Sequence, residues 1–379
     1  MFTDLSEFEF RWEQVCGGEF LRGASFYFAL APGKTRLLEL ELNRICRQEC
    51  YLNLSVLLRE DTPWAKAGTE IARAQFVSNP MAIGRRFARP EKYLTILESY
   101  GALSIQGESL CVRFSRRTGQ LVSLCRKGQE YLSAPLRPSF WRACTDNDRG
   151  NHMPVRCAVW RFAGQNCIYA PYTVAAQDAP RGVVRVTSRF IIPSEPACDG
   201  VLTYTITQAG VLVELQFQPD GRLPELPEVG VCFETAASYE SLTYLGRGPQ
   251  ENYSDRQAAA DIGLYNIPID EMYVPYLRPQ ENGARTDVRF ASLQGEKRSL
   301  RIESVEETPF TLSVCRWSPE ELEAATHEKD LPESGRLFVR VLARQAGLGG
   351  DNSWGALPQE QHRLPSGRPY QLRFALIPE

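Results

Sequence analysis

Period-two alternation of apolar residues constrains this chain more than any other feature. Leu52, Leu54, Val56 and Leu58 point one way, their neighbours the other. Phe8, Phe10 and Trp12 begin the same pattern near the start of the sequence. Leu202, Tyr204 and Ile206 repeat it; Gln208-Ala209-Gly210 then turns the chain into Val211, Val213, Leu215 and Phe217, which predicts an antiparallel hairpin. Helix signals are few. Ser318-Pro319-Glu320-Glu321 supplies an N-cap serine, a proline at the first helical position and a glutamate three residues after the cap, so a short helix is expected to run to about Lys329. So little helix excludes a (β/α) barrel or a doubly wound sheet and leaves an all-β, sandwich-like architecture.

The 379 residues suffice for two domains. Asn79-Pro80, Gly84 and Arg89-Pro90 interrupt the strand pattern. We therefore expect an immunoglobulin-like β-sandwich over residues 1–79, a linker over 80–92 with Arg85, Arg86 and Arg89 in solvent, and one large antiparallel assembly over 93–379. A net charge of −3 supplies no general basic field, so nucleic acid is not an expected partner. Asp4, Glu7, Glu9, Arg11 and Glu13 interrupt the region where a secretory signal would need an apolar core, and no run of about twenty apolar residues occurs elsewhere. The chain reads as soluble and cytoplasmic, with no membrane partner. Because Met1 leads almost directly into the first alternating run, a piece of a longer protein is expected. Eleven cysteines without a CxxC pair, beside three histidines, read as reduced structural residues rather than a zinc site.

Three loops carry the functional signal. FWRACTDNDRG (140–150), GRGPQENYSDR (246–256) and GLGGDNSWG (347–355) each set Gly, Asn and Asp around an aromatic residue. Such loops turn sharply and present amides, carboxylates and a flat ring on one surface. A pyranose matches that surface through an apolar C–H face and a rim of hydroxyls. Trp354, preceded by Asp351 and Asn352 on a glycine-rich loop, is expected to be an exposed stacking platform. Trp141 is expected in the core. DNDRG resembles half a calcium loop but lacks the glycine and glutamate spacing of an EF-hand, so Asp146 and Asp148 are expected to cap turns. Carboxylates such as Glu251, Asp255, Glu281 and Asp351 are plentiful, yet none is marked as an acid beside an ionised partner. No nucleophile elbow accompanies the histidines. His152, after Gly150 and Asn151, is expected at the surface.

GRGPQENYSDR, MYVPYLRPQENG (272–283) and GGDNSW, with RACTDNDRG upstream, together resemble the C-terminal portion of the large β-galactosidases of glycoside hydrolase family 2. The likeness covers about residues 93–379, and residues 1–79 resemble the sandwich that precedes that portion. It implies a supersandwich of galactose-mutarotase-like type and a division of labour in which an absent (β/α) barrel carries both catalytic glutamates. This chain would then be a non-catalytic fragment or small subunit, inactive alone, that completes the pocket for a β-galactoside such as lactose. By the same resemblance Trp354 matches the tryptophan that stacks on the sugar or leaving group, with Asp351 and Asn352 setting its loop. Gly150, Asn151 and His152 match a segment near the active-site mouth, in a shorter loop than usual. The implied partners are a β-galactoside and the barrel portion, in cis or as a large subunit, within an oligomer. No catalytic residue, metal ligand or cofactor is expected in this chain, while Mg2+ or Na+ would serve the complete enzyme. The alternatives are a stand-alone carbohydrate-binding module or an aldose 1-epimerase.

Overall fold

The computed structural model describes residues 3–42, 48–80, 92–176, 178–306, 308–352 and 354–379. The fold is all-β. Two compact units divide the chain, one of Met1–Gly84 with Ile262–Leu264 and the other of Arg85–Asp261 with Tyr265–Glu379. Nearly all of the expected linker over 80–92 lies outside the described residues.

The described part of the first unit is a four-stranded antiparallel sheet, in the order Glu19–Phe26, Phe8–Cys16, Cys50–Leu58, Glu70–Asn79. Trp12 stands opposite both Ala24 and Leu54 and is buried. Phe10, Phe26 and Phe28 stack on one another. Here one expectation fails. Cys16 and Cys50 form a disulfide, against the reading of reduced cysteines throughout. Antiparallel register places the two residues directly opposite each other, with their Cα atoms 4.1 Å apart, although 34 positions separate them in sequence. Spacing along the chain carries no trace of that. Cys46 lies outside the described residues.

Among the described residues, the second unit contains three antiparallel sheets. A five-stranded meander runs through Thr95–Glu98, Ala102–Gln106, Leu110–Ser115, Leu121–Arg126 and Gln129–Glu130. A second five-stranded sheet has the order Ala134–Ser139, Glu228–Ala236, Arg336–Gln345, Phe310–Cys315, Arg285–Val288. The third has ten strands, with Val184–Ile192, Cys198–Ile206, Val211–Phe217, Tyr370–Pro378 and Ser299–Ser304 consecutive at its centre. Their inward residues, including Val186, Phe190, Tyr204, Val213 and Phe374, join Val231, Val339 and Val341 of the second sheet in one core. Burial of that apolar surface is the main stabilising term. The predicted hairpin forms with Ile206 opposite Val211 and Tyr204 opposite Val213. Gly200 lies opposite Phe190, where a Cβ would come within 2.0 Å of the ring. Glycine is required there.

The helix begins as the sequence indicates, with Ser318 and Glu321 in a reciprocal capping box, but it spans only Pro319–Ala324. Ala325 is extended, and Asp330 accepts bonds from the Thr326 and His327 amides, starting a separate 3-10 turn at Glu328–Asp330. Local side-chain acceptors compete with helix continuation.

Candidate functional site

The loops singled out by composition meet around a buried arginine. Thr145 caps the short helix Asp146–Gly150, and Asp148 completes the capping box through the Thr145 amide. Asp148 also forms a bidentate pair with Arg142, through contacts of 3.1 and 2.8 Å. The same guanidinium donates to the Ala346 and Gly347 carbonyls, tying the root of the Trp354 loop to the helix. Burial opposes charge on Arg142, but the Asp148 carboxylate more than offsets it, and the guanidinium pKa rises.

Further contacts hold the tryptophan loop. The Gly349 amide donates to Asp255 Oδ2 at 2.9 Å, and Asn352 Oδ1 accepts from the Trp354 and Ala356 amides. Gly355, at φ +81°, packs so closely that a Cβ there would lie 2.3 Å from the Gly150 carbonyl oxygen. Bare backbone thus joins the Gly150 and Trp354 loops. Trp354 itself is 91% exposed. Asp351 and Asn352 are also exposed, as are Gly150 and His152. Asn151 turns inward, its side-chain oxygen accepting from Arg156 at 3.1 Å. His152 adopts the left-handed conformation at φ +61° before Met153–Arg156. Trp141 is buried, and its ring nitrogen donates to Glu323.

The other flagged segments build this rim from behind. Asn252 donates to the Arg247 and Gln250 carbonyls and accepts from the Thr286 amide and hydroxyl. Glu251 accepts from the Gly283 amide at 2.7 Å and pairs with Arg256 and Tyr276. Gln280 accepts from the Asp146 amide, so the loop between Met272 and Gly283 touches the acidic helix. Large apolar side chains remain uncovered on these connected segments: Leu277 and Val155, besides Trp354.

A buried cluster escaped the sequence reading. Arg340 binds Glu228 at 2.6 Å and Glu281 at 2.7 and 2.8 Å, and it donates to Ser313 Oγ at 2.9 Å. Ser139 donates to Glu228 at 2.6 Å, and Gln345 donates to Glu281 at 2.9 Å. Burial pushes the Glu228 carboxyl up to about 7; Arg340 pulls it back, and Glu281 adds to the rise. This acid pair shares one guanidinium and is sealed from solvent, so no sugar reaches it. Its role is to fix the second sheet to the Ala143–Arg142 segment, where the Glu281 amide donates to the Ala143 carbonyl at 3.2 Å. The available signal was charge within apolar strands, as at Arg340 in LFVRVLA. Among the described residues, no three His, Cys, Asp or Glu side chains converge as metal ligands, and no helix is long and apolar enough to cross a membrane.

Comparison with known proteins adds an independent finding. A family model described as "Beta galactosidase small chain" matches residues 106–376, and one described as "Beta-galactosidase, domain 4" matches residues 1–79. A β-galactosidase of Priestia megaterium (strain DSM 319 / IMG 1521) is 35% identical over 389 residues, covering 100% of this chain and 37% of that protein. A β-galactosidase of Streptococcus thermophilus is 30% identical over 381 residues, covering 100% of this chain and 36% of its own length. The chain thus spans little more than a third of these curated relatives. A solved structure of a galactose mutarotase-like protein from Clostridium acetobutylicum aligns with 76% of this chain and 99% of its own, at a TM-score of 0.45 and 10% identity.

Proposed function

This chain belongs to the β-galactosidase small-chain family, and from that premise we propose that it is a non-catalytic C-terminal portion whose loop rim completes the sugar pocket of a galactoside-hydrolysing assembly. Residues 1–79 act as the linking domain and 93–379 as the pocket-completing one. The carrying observation is Trp354: a large ring, almost wholly exposed, on a loop held by Arg142, Asp255, Asn352 and Gly355. Holding the loop backbone in advance removes entropy that binding would otherwise lose. It suits the apolar face of a β-galactoside such as lactose, with Asp351, Asn352 and His152 at the edge of the same rim.

The partner is the preceding portion of a β-galactosidase, joined in cis or supplied as a large subunit, and the complete enzyme is an oligomer. In support, this chain covers only 37% and 36% of the two relatives, which leaves most of each outside the match. The uncovered Leu277 and Val155 suit contact with it. Any Mg2+ or Na+ requirement belongs to the assembled enzyme, and the proposed compartment is the cytoplasm. Comparing kcat/KM for lactose in the assembled enzyme with and without Trp354→Ala tests the stacking role. A loss of about tenfold or more supports it, and an unchanged kcat/KM and product ratio overturns it.

A further inference from the structure

The five-stranded meander of the second unit turns one face to the core and the other outward. Leu103, Ile105, Val112 and Leu124 are buried on its inner face. Alternation then places Cys111 and Cys125 on the outer face. There they share one row with two polar residues: Gln106 stands opposite Cys111, Cys111 opposite Cys125, and Cys125 opposite Glu130. Ser104, Arg113 and Ser123 form the next row. Both thiols are free and partly exposed, whereas Cys144, Cys157, Cys198, Cys232 and Cys315 are buried. Packing explains a buried thiol, but not two cysteines that face each other on a polar surface.

Strand register fixes how closely the two residues approach. The Lys127 amide donates to the Ser109 carbonyl at 2.7 Å, so these two form a hydrogen-bonded pair and, two positions further, so do Cys111 and Cys125. The Leu110 and Leu124 carbonyls agree, since they turn to the flanking strands and accept from the Gly107 and Tyr131 amides. Such a pair holds its Cα atoms about 5.5 Å apart, within the span of a disulfide. Its Cβ atoms lie at the wide end of cross-strand spacing, so a bridge here strains the ladder. Cys16 and Cys50 provide the contrast. The Gly17 amide donates to the Glu49 carbonyl at 2.9 Å, which makes Cys16 and Cys50 a close, non-hydrogen-bonded pair with Cα atoms 4.1 Å apart. Strained and accessible disulfides are the readily reduced ones.

We propose that Cys111 and Cys125 are a reversible redox site, oxidised to a labile cross-strand disulfide by small-molecule disulfides of the glutathione type. The Cys111 thiolate attacks one sulfur of the reagent, which forms a mixed disulfide and expels one thiolate. The Cys125 thiolate then attacks Cys111 Sγ and expels the second. The protein loses two electrons in forming its S–S bond; the reagent gains them, takes up the two cysteine protons and leaves as two thiols. Burial pushes the Cys125 thiol up, and Glu130 and Cys111 add to the rise. Such a thiol suits the second attack, in which its target sulfur is held beside it and little thiolate suffices. The inference is independent of the role given to Trp354.

Incubating the full chain with oxidised glutathione, then alkylating it and mapping its peptides by mass, tests the proposal. Cys111 and Cys125 should lose their alkylation together and appear as linked peptides. Dithiothreitol should reopen this bridge at a concentration at least about tenfold below that needed for Cys16–Cys50. Cys125→Ser should stop at a glutathione adduct on Cys111, and Cys111→Ser should give no linked peptide containing Cys125. A glutathione adduct that persists on Cys111 in the unsubstituted chain, or thiols that both stay free, would overturn the pairing. Equal resistance of the two bridges to dithiothreitol would overturn its lability.

Discussion

Arg142 and Asp148 form a bidentate ion pair whose side chains are 1% and 2% exposed, and this pair joins the two loops that the sequence marks most strongly. Asp148 belongs to the acidic helix, and Arg142 extends from there to the carbonyls at the root of the Trp354 loop. Truncating Arg142 to alanine leaves a buried carboxylate and two carbonyls without their donor. A loss of about 3–5 kcal/mol is expected. Chemical denaturation measures it, and amide exchange at Gly349 and Trp354 should accelerate in the same variant. Unchanged stability would remove the pair from its organising role.

Trp354 should behave in the opposite way. Its ring has almost no protein contact to lose, so Trp354→Ala is expected to alter the stability of the isolated chain by no more than about 0.5 kcal/mol. A larger fall in denaturation midpoint would show the ring to be a loop anchor rather than a platform.

Stability should also depend on the protonation of Glu228. Its folded pKa lies near 7, above the ordinary 4.5, so the native state holds a proton that the unfolded chain releases. The stabilisation from this group is therefore fully present below the unfolded value and is lost as pH rises through about 7. Denaturation midpoints measured between about pH 5 and pH 8 should show this decline, and Glu228→Gln should flatten it. A parallel pH profile in the variant would assign the dependence to other groups.

The Cys16–Cys50 bridge closes a long segment of the first unit. Alkylation of the unreduced protein, followed by mass analysis, should leave these two cysteines unlabelled. Reduction should lower the stability of that unit by about 3–4 kcal/mol, the entropy restored to an unfolded loop of this size. Labelling of both residues without reductant would contradict the bridge.

Much of this was legible in the sequence because it is local. Alternation placed Leu202, Tyr204 and Ile206 on one face, and Ser318 with Glu321 marked a helix start. The exposure of Trp354 followed from the glycines around it. Relationships between distant strands were not legible. Cys16 meets Cys50 because sheet register sets them opposite each other, and Glu228 meets Arg340 across 112 positions because their strands pair, with Arg340 reaching along the sheet from its place opposite Cys232. The helix end was missed for a related reason. Asp330 reaches back to the Thr326 and His327 amides and diverts a segment whose composition reads as helical.

The most direct measurement is nitrophenol release from a chromogenic β-galactoside by the purified chain, first alone and then mixed with the preceding portion of the enzyme. The account predicts no turnover alone and turnover on mixing. Turnover by the chain alone, persisting after repurification, would mean that the acid pair for hydrolysis lies within these 379 residues and that the division of labour proposed here is wrong.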